Sequence, residues 1–207
     1  MEKLAFAEAL LLEKFRQNEL VGYDRLASFR ELCWAVLQHY EVCDTPLLDV
    51  TNSLQAAASF ALRHDPATGI LYVLGFPHIN DSISFSVNEA LLNIKLISIC
   101  PPDAQRPYFQ GGFLVGTFPT NVSQKHPSLD VACRLIAKFR IGWGKPDTWD
   151  FWGENYAPIP EGALFPDDDR VEILCDEIKN EINSPIARGR QGNAALENSA
   201  DDKEIGT

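Results

Sequence analysis

Leu47-Leu48-Asp49-Val50-Thr51 runs directly into Asn52-Ser53 and then into the alanine-rich stretch Leu54 to Arg63. The first five residues read as a short strand. Asn52 or Ser53 can cap the helix that follows, because a short polar side chain there accepts a hydrogen bond from the unpaired N–H groups of the first turn. Asp65-Pro66 marks its end. Next comes Gly69-Ile70-Leu71-Tyr72-Val73-Leu74-Gly75, a continuous β-type run bounded by glycines, which predicts a buried strand.

Working outward, residues 1–20 carry a broad apolar stripe of Leu4, Ala5, Ala7, Leu11, Leu12 and Phe15, with Gly22 as a helix stop. A second helix, opened by Ser28 with Glu31 in capping-box spacing, runs to His39-Tyr40. Downstream, 86–94 has only a weak helical period. Lys95 to Cys100 reads as a strand stopped by Pro101-Pro102, and Gly112 to Phe118 as another. Leu129 to Phe139 and Arg170 to Ile182 read as helices, the second after the acidic turn Pro166-Asp167-Asp168-Asp169. The expected fold class is α+β: a small mixed β-sheet from 47–51, 69–75, 95–100 and 112–118, with helices packed around it. One domain is expected over 1–184. Beyond it, 185–207 has almost no large apolar side chains and reads as a disordered acidic and polar tail.

Composition excludes several functions. The 207 residues carry 18 basic and 29 acidic side chains, a net charge of −11, so no basic footprint for nucleic acid exists. No apolar run approaches the roughly 20 residues that span a bilayer, and the N-terminus lacks the charge-then-apolar pattern of a signal peptide. The five cysteines are far apart without a CxxC pair, and the four histidines lack ligand spacing. A reduced cytoplasmic protein without structural metal, nucleic-acid partner or membrane contact is expected.

Five segments, in order, resemble the FRG domain, a bacterial family named for an N-terminal Phe-Arg-Gly motif. They are Leu37-Gln38-His39-Tyr40 with Thr45-Pro46-Leu47-Leu48-Asp49-Val50-Thr51; Ala56 to Ala61; the strand Gly69 to Leu74; Arg106 with Gln110, Gly112 and Phe113; and Leu164-Phe165-Pro166-Asp167. The resemblance spans about residues 8 to 180. Glu41-Val42-Cys43-Asp44 stands where the family has a loop with Gly and Pro, and no Phe-Arg-Gly precedes residue 8; Phe29-Arg30-Glu31 is no substitute. The resemblance therefore implies an FRG domain without its first strand, and hence an exposed sheet edge or groove.

The family layout is similar to that of ADP-ribosyltransferases. By that resemblance His39, Asp49, Thr51, Asn52, Ser53, Arg106 and Gln110 would converge on one concavity, with NAD as the cofactor such a layout uses. Three functions stay open: an accessory or interaction module with a protein partner, an NAD-dependent ADP-ribosyltransferase-like enzyme, or a truncated, non-functional remnant. Each residue also has a structural role available. Asp49 and Thr51 can be a capping and turn pair, and His39 can close a helix. Arg106 can pair with the acidic C-terminal region, and Gln110 can fasten a loop. The aromatic group Trp143, Trp149, Phe151, Trp152 and Tyr156 can pin a loop to the core.

Overall fold

Ala7, Leu11 and Phe15, four residues apart, form the buried stripe of the first helix, α1 (Glu2–Gln17), as helical periodicity requires. The computed structural model describes residues 2–77, 81–117, 131–142 and 151–184; the expected tail at 185–207 lies outside them. After α1 come α2 (Tyr23–Ser28) and α3 (Arg30–His39). Seven of the ten α3 residues are buried, so this helix is the centre of the main core. Its N-cap is Phe29, in extended conformation, and not Ser28. Ser28 is the last residue of α2 and its hydroxyl donates to the Asp24 carbonyl at 2.6 Å, so the expected capping box does not form. The C-terminal helix α8 (Arg170–Asn183) lies along α1, where Lys14 reaches Glu177 and Glu181 at 2.9 and 2.8 Å.

The α+β class holds. Strands β1 (Leu47–Thr51), β3 (Ile83–Ser86), β4 (Leu91–Lys95) and β5 (Gly112–Thr117) form a sheet in the order β1-β5-β4-β3. Every pairing is antiparallel, where a mixed sheet was expected. Leu47 opposite Gly116, Asp49 opposite Leu114, and Thr51 opposite Gly112 share one face of β1 and β5. Leu47, Leu92, Ile94 and Leu114 on that face join the helical core, as the two-residue period of a strand dictates.

Three sequence expectations are corrected. The strand expected at 95–100 lies earlier, at Leu91–Lys95, and Leu96–Ile99 is a helical turn, α5, whose Leu96 and Ile99 are both buried. Spacing of three suits a turn of helix better than a strand. The strand β2 (Gly69–Leu74) leaves the main sheet and pairs with β6 (Leu135–Ile141), antiparallel, as a separate ribbon, and only its Gly69 and Leu71 are buried, where a buried strand was expected. Finally, the helix expected at 129–139 is replaced by a short 3₁₀ turn (Val131–Arg134) and β6 itself. Pairing with a distant strand overrides a local helical period, because strand preference is largely a matter of context.

Between β1 and β2 runs α4 (Leu54–Ala61), capped by Ser53, whose Oγ accepts from the Ala56 amide at 3.1 Å. Ala58 and Leu62 pack on Leu71 and Ile141 to make a second, smaller core, with Phe151 and Trp152 against it. Phe151, Trp152 and Tyr156 touch one another, with ring centroids 4.8 to 5.7 Å apart, and thus pin their loop as the structural reading has it; Trp143 and Trp149 lie outside the described residues. This small core depends on Gly69. A Cβ there would sit 2.9 Å from the Ala61 carbonyl oxygen and 3.0 Å from the Ala61 Cβ. Gly69→Ala should lower stability by about 1–3 kcal/mol in urea unfolding through overpacking. Gly162→Ala, where an added Cβ meets no other group within 4 Å among the described residues, should stay within about 0.5 kcal/mol of wild type.

Candidate functional site

His39 ends α3, and its imidazole is 2% exposed. Nδ1 lies 2.8 Å from Asp49 Oδ2 on β1, across from the helix end. An ionised carboxylate only accepts, so Nδ1 donates to it. Nε2 is buried and has no hydrogen-bond partner among the described residues. The ring is fixed from behind by Gly112, where a Cβ would stand 3.0 Å from His39 Cε1.

One residue pair further on, the β1–α4 corner meets the start of β5. The Thr51 hydroxyl donates to the Gln110 carbonyl at 2.6 Å and accepts from the Ser53 amide at 3.0 Å. Ser53 then caps α4. Asn52 is exposed, and its Oδ1 would lie 2.9 Å from a Cβ at Gly111, whose φ of +57° favours glycine. Gln110 ends α6 (Arg106–Gln110), is 5% exposed, and donates from Nε2 to the Leu164 carbonyl at 2.8 Å. It fastens α7 (Glu161–Leu164) to the sheet.

Arg106 begins α6 and is 5% exposed. Its guanidinium carbon lies 5.5 Å from the Tyr40 ring centre and 4.7 Å from that of Phe165. Nη1 reaches Glu172 and Nη2 reaches Glu41, both at 3.2 Å, so the pairing with the acidic C-terminal region is realised through Glu172. Glu41 holds this place with a left-handed φ of +55°. Behind Arg106 lies Asp169, 0% exposed. Its Oδ2 accepts from the Tyr40 hydroxyl and the Gln105 and Arg106 amides, each at 2.9 Å. Its Oδ1 caps α8 through the amides of Val171 and Glu172 at 2.9 and 3.1 Å. Five donors on one carboxylate tie α3, α6 and α8 together.

The electrostatics follow from burial. Desolvation pushes the Tyr40 phenol far above its ordinary value, with Cys100 and Asp169 adding to it, so Tyr40 remains the donor in its bond to Asp169. Burial also raises the Glu172 carboxyl, against the pull of Arg106. The folded chain then binds that proton more tightly than the unfolded chain does. The stabilisation this provides is present at low pH and is lost as pH rises through the folded-state value. NMR titration should place the Glu172 midpoint above the ordinary glutamate value, and Glu172→Gln should remove that part of the pH dependence of stability. Cys33 is pushed up to about 12 and Cys43 to about 11 by burial, and burial raises Cys100 and Cys175 as well. Such thiols stay protonated and are poor nucleophiles.

The seven expected residues therefore gather at one end of the sheet. His39 meets Asp49, Thr51 meets Gln110 and Ser53, Asn52 packs on Gly111, and Arg106 joins through Tyr40, whose ring edges the His39 ring at 5.6 Å. Their polar atoms turn largely toward one another and the backbone. A cavity of about 380 Å³ lies nearby but is lined by other residues, among them Ile97, Cys100, Pro101, Pro102, Tyr108 and Phe109. As ligands for a dinucleotide the seven fit poorly. The Thr51 hydroxyl spends its only proton on the Gln110 carbonyl and already accepts from Ser53, and the Gln110 amide is buried and donates inward. Tyr40, Glu41, Asp169 and Glu172 belong to the same network and were not anticipated. For Asp169 a signal existed, since the last Asp before a helical pattern is a common N-cap.

Among the described residues no group of three or more His, Cys, Asp or Glu side chains is arranged to hold a metal ion. No helix there is long and apolar enough to cross a membrane. No family model, no curated protein and no solved structure matches the chain.

Proposed function

We propose that this chain is an FRG-type interaction module, a cytoplasmic domain that binds a protein partner and carries no catalytic centre of its own. The observation that carries this reading is where polar and apolar groups are left available. At the corner of the sheet, Thr51, Gln110 and Asp169 use their hydrogen-bonding groups internally. By contrast, six of the sixteen exposed large apolar side chains among the described residues lie on the β2–β6 ribbon: Ile70, Tyr72, Val73, Leu135, Ile136 and Phe139. Ile70 and Tyr72 lie on one face of the ribbon and Val73 and Phe139 on the other, and exposed apolar groups gathered on one element support an interaction role.

A second reading, an NAD-dependent ADP-ribosyltransferase-like enzyme, is favoured by one observation: His39, Asp49, Thr51, Ser53 and Gln110 share one sheet end, with Asp49 39% exposed beside the imidazole. The two readings separate in a single assay. The full chain incubated with NAD should release no nicotinamide, and NAD should not raise its melting temperature. Release of nicotinamide that is abolished by Thr51→Ala, with the fold intact, would replace the module reading by the enzyme reading.

A further inference from the structure

We propose that the outer edge of β6 is a docking site for an extended acidic segment of a partner protein, which adds as a strand beside Lys138 and Arg140. The proposal rests on the module reading and names its face and the chemistry of its partner.

The face is built by register. Ile70 stands opposite Arg140 and Tyr72 opposite Lys138, so these four side chains project from one side of the ribbon. All four are exposed. The Lys138 ammonium lies 5.3 Å from the Tyr72 ring centre. On the other side, Leu71 and Ile141 are buried against α4 and anchor the ribbon, while Phe139 remains 53% exposed. Among the described residues β6 has β2 as its only strand partner, and five of its seven residues are exposed, so its other edge is where the proposed strand pairs.

Charge selects the occupant. The chain as a whole carries −11, yet neither strand of the ribbon contains an acidic residue. Arg134, just before β6, is already bound to Glu89 at 3.1 Å. Lys138 and Arg140 have no carboxylate partner among the described residues. At physiological salt, charges separated by more than about 8 Å are largely screened, so acidic groups beyond that range contribute little at these two cations. A second copy of this chain is a poor occupant, because symmetric pairing of β6 with itself sets like charges against each other. An incoming strand with carboxylates at alternate positions meets both cations on one face. Its intervening apolar side chains fall on the other face, beside Phe139. Nucleic acid or an anionic membrane would meet the same two cations but has no strand backbone to pair with the edge.

The test uses the full chain and a fluorescent peptide of about ten residues alternating glutamate and valine, matched to the length of a long strand. Controls are a lysine–valine peptide and a peptide of the same composition with its glutamates clustered at one end. Binding of the alternating acidic peptide is expected, weakened about tenfold by Lys138→Glu/Arg140→Glu and weakened again at high salt. The double variant should in turn bind the lysine–valine peptide. Both substitutions are at exposed sites, and circular dichroism verifies that the fold survives. Equal binding by wild type and double variant, equal binding of the clustered peptide, tighter binding of an oligonucleotide or anionic vesicles, or absence of peptide binding would each overturn the proposal. The module reading fails separately, through nicotinamide release from NAD. If the double variant binds the peptide normally but Tyr108→Ala does not, a module remains, with its face at the cavity beside α6.

Discussion

Asp169→Ala should lose on the order of 4 kcal/mol of folding stability, the largest effect expected of any single polar substitution in this chain. The carboxylate is 0% exposed and accepts from four backbone amides and one phenol. Alanine leaves all five donors without their acceptor, three of them in buried contacts and two in part-buried ones, and each buried unsatisfied donor costs roughly 1–3 kcal/mol before relaxation. Since small domains hold only about 5–15 kcal/mol in total, the variant should unfold at low urea or fail to accumulate. Asp167→Ala and Asp168→Ala are the controls. Both residues are exposed and adjoin the same turn, and each should stay within about 0.5 kcal/mol of wild type. A marginal effect at Asp169 in urea unfolding would mean that the joint between α3, α6 and α8 is held by something else.

Arg106→Ala should cost about 2–4 kcal/mol, somewhat less than loss of a partner in a fully buried pair. Its guanidinium sits between the rings of Tyr40 and Phe165, and alanine leaves that slot empty. The two carboxylates it leaves behind moderate the effect, because the Glu41 side chain is 71% and the Glu172 side chain 28% exposed and both can rehydrate. Arg106→Lys should recover only part of the loss, since an ammonium cannot fork between two carboxylates while stacked on flat rings. Arg170→Ala, which removes an exposed pair with Asp103, should change stability by less than about 1 kcal/mol. Parity between the two arginines in the same unfolding assay would contradict the buried arrangement.

Much of the fold was legible because its signals are local. The stripe of α1, the cap at Ser53 and the glycine-bounded run of β2 each depend on residues within a few positions, and all three are present. The errors arose where the decisive partner is distant. Leu135 to Ile141 has the length and apolar content of either a helix turn pair or a strand, an ambiguity that periodicity alone does not resolve. It becomes β6 because Gly69 to Leu74 offers an edge. Likewise, Leu91 to Ile99 is one apolar run whose division between β4 and α5 is set by its fit against β5. At the candidate corner the residues could be named from the sequence, and the bonds they make could not. Asp169 and Tyr40 are 129 positions apart, and no local pattern indicates that they meet. Gln110 could be singled out by resemblance, but that its amide would turn inward to Leu164 depends on α7, whose position no motif encodes.

The most direct test of the functional account is amide NMR of the isotope-labelled full chain, titrated with NAD and then with the alternating glutamate–valine peptide. Resonances of residues 69–74 and 135–141 should shift on addition of the peptide, with NAD leaving the spectrum unchanged. Saturable shifts at 49–53 and 106–112 on addition of NAD would instead place the ligand at the corner of His39, Asp49, Thr51 and Gln110, and would contradict the interaction-module reading.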